Sequence, residues 1–243
     1  MASRFMFSRR IHTVPKLGFD HVPGLFTKQA FSIAWTEHQG DLVAKLSKAT
    51  VDSDDASRIP FHVLLNTARR RDSAHVFNYA SQAHNNHLFF QGITPREGTA
   101  PSPGMMRRIE RTFGTKEKLF QAIKAAAASI DGNGWVFLVE KPDKTIQLIA
   151  ANNAGTPYHL ARLQQLDLNA GIDEDQARAL EGAERAVAAG DKNLNICLLA
   201  LNLWQHAYVP DFGISGREKY IDQWWHALNW AVVNGRLFGE ARA

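Results

Sequence analysis

From Lys28 to about Thr50, apolar residues recur every three or four positions, and Phe31, Trp35, Leu42 and Leu46 fall on one stripe, predicting a long amphipathic helix. Shorter helical patterns follow over Ile59 to Ala68 and Ser73 to Gln91; in the second, Val76, Phe77, Ala80, Ala83, His84, His87 and Leu88 share a face. Residues 94–104 (TPREGTAPSPG) carry Pro95, Pro101, Pro103, Gly98 and Gly104, which exclude regular structure and mark a loop or boundary. Beyond it, Met105 to Phe113 and Thr115 to Ile130 read as helices, closed by the turn sequence Asp-Gly-Asn-Gly at 131–134. Trp135 to Glu140 and Thr145 to Ala150 are rich in β-formers around Pro142-Asp143, a hairpin signature, and Ile196 to Leu203 reads as a buried third strand. Residues 172–190 suit a surface helix, and Tyr220 to Phe238 a helix with Trp224, Trp225 and Trp230 toward the core. The order predicts an α+β chain: a helical domain over 13–95, then an α+β domain over 104–243.

Composition narrows the class. With 243 residues, 45% of them hydrophobic, and six tryptophans, the chain has material for a substantial core. No stretch approaches the roughly 20 uninterrupted apolar residues of a membrane helix, so no membrane span is expected. Cys197 is the only cysteine, which excludes an intramolecular disulfide and predicts a buried, inert thiol. Residues 1–12 contain Arg4, Arg9 and Arg10 among Phe5, Met6, Phe7 and Ile11, with no acid before Asp20, the pattern of a mitochondrial transit peptide. A leader ending near Arg10 accounts for three of the four excess positive charges. RNA contact therefore has to rest on local clusters, and the candidates are Arg69, Arg70 and Arg71, and Arg107, Arg108 and Arg111. There is no glycine-rich phosphate loop, no G-x-S-x-G elbow and no CxxC pair. The acidic run at 52–55 (DSDD) is expected to cap the helix that follows.

Three segments go beyond generic patterning. Val76 to Phe90 (VFNYASQAHNNHLFF) resembles the iron/manganese superoxide dismutase helix FNxAxQxWNHxFYW. Leu198 to Tyr208 (LLALNLWQHAY) is similar to that family's signature LxLDxWEHAYY, and Tyr220 to Trp230 (YIDQWWHALNW) to its closing helix YIDxWWxxxNW. They occur in family order, together with the Lys28 to Lys48 helix and the Phe113-Gly114 and Gly134-Trp135 landmarks. The resemblance implies the dismutase fold, an N-terminal helical hairpin followed by a half with a small three-stranded antiparallel sheet.

The family binds one iron or manganese through two histidines on separate helices and the Asp and His of DxWEH. Carried onto this chain, those positions fall at Ala34, Asn86, Asn202 and His206. Alanine offers no donor, Asn86 offers a weak carbonyl, and Asn202 lacks the anion that neutralises a hard cation. One histidine does not hold a metal against water, because affinity needs several deprotonated donors converging on one point. The expectation is that no cofactor binds and that the chain is not an enzyme. The family's channel tyrosine corresponds to Leu42 and its cross-dimer glutamate to Gln205, while Gln82 and His38 match an outer-sphere glutamine and a channel histidine. His87 sits one residue from a lost ligand, but a step of one residue on a helix turns it about 100° away. His84 and His87 share a helical face without a visible third ligand.

A transit peptide, this fold and a dismantled metal site together resemble the superoxide-dismutase-like proteins of the fungal mitochondrial ribosome's small subunit. That resemblance implies a structural ribosomal protein of the mitochondrial matrix. Its expected partners are other small-subunit proteins, above all a second dismutase-like chain met through Gln205, His206 and Tyr208, with limited ribosomal RNA contact. The segment from Gly171 to Asp191 is longer than the family usually carries and offers a surface to neighbours. A diverged dismutase and a free pseudoenzyme paired with one remain the alternatives.

Overall fold

A computed structural model describes residues 12–68, 70–96, 99–158 and 194–238. Residues 1–11 of the expected leader, the predicted 172–190 helix within the 171–191 segment, and Arg69 lie outside these residues. His12, the last position assigned to the leader, already belongs to the fold. It is buried, its backbone N–H bonds Ser47 Oγ at 3.3 Å and its Nε2 meets Thr50 Oγ1 at 3.2 Å.

The first predicted helix is present but is not one uniform α-helix. It comprises α1 (Lys28–Phe31), a π-helical turn (Ser32–Glu37) and α2 (His38–Thr50). Thr27 caps its start by accepting from Ala30 N, and Asp211 in turn accepts from Thr27 N and Oγ1 at 2.7 and 2.8 Å. The π turn adds one residue to a turn of helix, so the His38 N–H reaches back five residues to the Ile33 carbonyl. Next come α3 (Pro60–Thr67) and α4 (Ala74–Gln91), which pack with α2 around Leu46, Val63, Leu64, Phe77 and Ala80. The acidic run does not cap α3, whose N-cap is Ile59. It forms a short 3-10 turn in which buried Asp55 accepts from Asn66 Nδ2 at 2.8 Å, because the α3 side chain supplies a nearer donor than the helix end.

Past the loop, α5 (Pro103–Phe113) and α6 (Lys116–Ala128) start at Ser102 and Thr115, each accepting from a first-turn N–H. They cover a sheet of β1 (Gly134–Glu140), β2 (Ile146–Asn152) and β3 (Ile196–Asn202), ordered β2-β1-β3 and antiparallel throughout. Central β1 is buried along its whole length, as its run Trp-Val-Phe-Leu-Val suggests. Lys144, at φ 67°, closes the hairpin in the left-handed region.

The predicted C-terminal helix is two helices, α8 (Arg217–His226) and α9 (Trp230–Phe238), preceded by a helix the periodicity does not reveal, α7 (Gln205–Phe212), which contains Pro210. The break at Ala227 to Asn229 holds the chain just past α4: Thr94 N bonds Ala227 O and Asn229 N bonds Gly92 O, both at 2.9 Å. One core cluster unites α1, α4, α5, α6, all three strands and α7 to α9.

Candidate functional site

The site is built where the π turn, α4 and the end of β3 meet. Ala34, Asn86 and Asn202 are each completely buried there. Asn86 Nδ2 donates to the Ala34 carbonyl at 3.1 Å and to Gln39 Oε1 at 3.0 Å. Gln39 Nε2 donates to Ala83 O at 2.9 Å, Asn202 Nδ2 donates to Asn86 Oδ1 at 3.3 Å, and Asn202 Oδ1 accepts from Trp204 N at 2.9 Å. Every side-chain oxygen and nitrogen of the three amides has a partner, so a wholly neutral set satisfies itself inside the core.

His206, on the first turn of α7, joins through His38. Their ring centroids are 3.9 Å apart and tilted by 35°, with Trp204 5.8 Å from His206. Burial, reinforced by His38, lowers the His206 imidazole from its usual 6.5 to about 3. His38 is also lowered, chiefly by burial. Neither ring carries charge at neutral pH, and among the described residues His206 Nε2 has no hydrogen-bond partner.

This set does not fit an iron or manganese ion. Ala34 offers no donor, Asn86 and Asn202 bring amides in place of an imidazole and a carboxylate, and the Asn86 oxygen is taken by Asn202. A hard cation needs anionic or imidazole donors. Among the described residues no three of His, Cys, Asp and Glu are placed to hold a metal.

Other predicted residues are distributed more widely. His87 turns from the amides and packs against Trp35 at 6.0 Å, as the helical rotation requires, and His84 Nε2 meets the Tyr158 hydroxyl at 2.7 Å. Gln82 takes no part in the amide network, and Leu42 is core. Gln205 is exposed with its backbone N–H on Asn133 Oδ1, but Tyr208 is only 6% exposed and packs on Tyr220 at 5.9 Å, so it supports that surface from beneath. Cys197 is buried, and burial pushes its thiol up to about 12. Of the arginine candidates, Arg70, Arg107 and Arg111 are exposed, whereas Arg108 turns inward and donates from Nη2 to buried Glu140 at 3.1 Å. It pairs with Glu140 within the fold, because a carboxylate buried at the end of β1 needs a cation close by. The Arg71 side chain lies outside the described set.

Gln39 is the member that sequence reasoning missed. Its signal was a glutamine one position beyond His38 on the buried stripe of a helix, at a point where the π turn alters which residues face inward.

Against known proteins, residues 101–169 and 174–236 match the C-terminal domain of iron/manganese superoxide dismutases. The chain is 30% identical over a 244-residue alignment to small ribosomal subunit protein mS43 of Schizosaccharomyces pombe, covering 96% of this chain and 87% of that one. It is 29% identical to mS42 of the same organism, over 84% of each. It is 26% identical to the Mn/Fe superoxide dismutase of Rickettsia conorii, over 87% of this chain and 85% of the enzyme. The order of its signatures, its helix and sheet topology and these matches agree: the chain belongs to the iron/manganese superoxide dismutase family.

Proposed function

We propose that this chain is a structural, non-catalytic component of the small subunit of the mitochondrial ribosome, resident in the matrix. The carrying observation is the closed amide network of Gln39, Asn86 and Asn202, which occupies the centre of the fold with groups that bond one another. Similarity to two small ribosomal subunit proteins gives such a chain its setting. In this reading Ala34, Asn86, Asn202 and His206 are the former metal positions, the leader ends before His12, and the parts expected over 13–95 and 104–243 are the two parts of the fold.

Pairing with a second dismutase-like subunit follows from the same reading. The exposed Gln205 and the half-buried His38, Trp204 and His206 present neutral, aromatic surface around the site. Such surface suits association, since aromatic groups bury large areas with little loss of side-chain freedom.

Sedimentation of a mitochondrial lysate through a sucrose gradient tests the assignment. The chain is expected in the small-subunit fractions and in no lighter peak once subunits are intact. Recovery only as a free, metal-loaded species overturns it.

A further inference from the structure

We infer that the outward face of α5 and the tip of the β1–β2 hairpin form a binding edge for the phosphate backbone of structured RNA. Arg107 and Arg111 are exposed one helical turn apart, about 6 Å along the α5 axis. That separation is comparable with successive phosphates along a strand. Arg111 Nη2 donates to the Lys144 carbonyl at 3.5 Å, which brings the hairpin tip and its exposed Lys144 against this end of α5.

The acids of this region are largely committed elsewhere. Glu140 is buried under Arg108, with Lys144 Nζ no nearer than 3.8 Å. Asp143 accepts from Thr145 N and Oγ1 and pairs with Lys141 at 3.4 Å, interactions that hold its carboxyl below the usual range. Glu110 is exposed on α5, rotated about 60° from Arg107 and about 100° from Arg111, on the side away from Arg108. Among the described residues, neither Arg107 nor Arg111 has a carboxylate within ion-pair distance. Two exposed guanidiniums one helical turn apart, with an exposed lysine on the hairpin tip that Arg111 touches, favour phosphate, which accepts bidentate contacts from arginine. They read backbone and shape, not base sequence.

Other features lead less far. Arg70 stands between two arginines whose side chains are not described, and Lys116 is held over Trp225 and Trp230. Ile214 is exposed, and the other exposed large hydrophobics among the described residues, Val51 and Ile59, are far from it in the chain.

The inference takes its ribosomal setting from the proposed function, but its test is independent of it. Full-length chain is titrated into a fluorescently labelled RNA hairpin across a salt series, as wild type, as R107Q/R111Q/K144Q, and as K16Q/K28Q/K219Q, which removes three exposed charges elsewhere. The first variant is expected to bind about tenfold or more weakly at low salt, with a salt slope shallower by about two to three. The second is expected to stay within about twofold of wild type. Absence of RNA binding, or equal weakening in both variants, overturns the inference. So does loss of binding to poly-glutamate in the first variant with RNA binding unchanged, which assigns the edge to an acidic protein. Correct RNA results from a chain that never sediments with the small subunit refute the assembly reading alone.

Discussion

Asn202 donates from its side-chain nitrogen to the side-chain oxygen of Asn86 across 3.3 Å, joining the end of β3 to the middle of α4 with both residues wholly buried. The direction of that bond matters. Asn86 spends its own nitrogen on Ala34 O and Gln39 Oε1, so its oxygen is free only to accept. A donor at residue 202 is therefore required.

Asn202→Asp tests that requirement. The new carboxylate would face the Asn86 oxygen, acceptor against acceptor, in a site without a cation. We expect a loss of about 2–4 kcal/mol in urea unfolding at pH 7. Burial raises the folded-state pKa of the introduced acid above its unfolded value, so the folded state binds more protons between the two and the deficit shrinks as pH falls. A deficit independent of pH would contradict the assigned bond direction.

Asn86→Ala tests the network as a whole. It strands Gln39 Oε1 and Asn202 Nδ2 in the core, at an expected cost of about 2–3 kcal/mol. Adding Gln39→Leu should cost less than the sum of the single changes, because the stranded oxygen goes with it. Thermal or urea denaturation of the two single variants and the pair gives the coupling; strict additivity would show that the two amides act independently.

How far the sequence foretells this site depends on the range of the interactions. The stripe of Phe31, Trp35, Leu42 and Leu46 and the β-rich runs at 135–140 and 196–203 are local patterns, and they form the predicted elements. The convergence of Ala34, Asn86 and Asn202 came from the motif resemblance, because bonds spanning 52 and 116 residues leave no trace in periodicity. The π turn and the role of Gln39 were not legible: an extra residue in one helical turn changes facing without changing composition. Helix α7 was hidden by Pro210, and Tyr208 lay within a motif whose exposure the sequence does not specify. The Arg108–Glu140 pair joins residues 32 apart on different elements, and periodicity carries no sign of it.

Glu140 and Arg108 form a second test of internal electrostatics. The Glu140 side chain is fully buried, while that of Arg108 is about a quarter exposed. Arg108→Leu leaves the buried carboxylate with only the exposed Lys144 at 3.8 Å and is expected to cost about 3 kcal/mol. In E140L/R108L much of that loss should be recovered, since a buried pair is often replaceable by apolar packing. A double-mutant cycle by chemical denaturation measures the coupling, and no recovery in the pair would contradict this reading.

Acid sensitivity should begin above the carboxylate range. Burial holds His84 at about 3, assisted by the charge of His87, and His87 at about 4, assisted by Arg236. In the unfolded chain both titrate near 6.5. Between pH 6.5 and about 4 the unfolded state thus binds more protons, and folding stability falls as pH falls, by up to about 1.4 kcal/mol per pH unit for each such histidine. Unfolding free energies measured from pH 7.5 to 4.5 should show this slope, reduced by about one proton in His84→Gln. A flat profile would refute it.

The metal content of the chain itself tests the non-catalytic assignment most directly. Protein purified from cells supplied with both iron and manganese is analysed by mass spectrometry of the metals, and the same sample is assayed for superoxide consumption. The amide network predicts trace metal only and no consumption above buffer. Stoichiometric iron or manganese together with dismutation would contradict it.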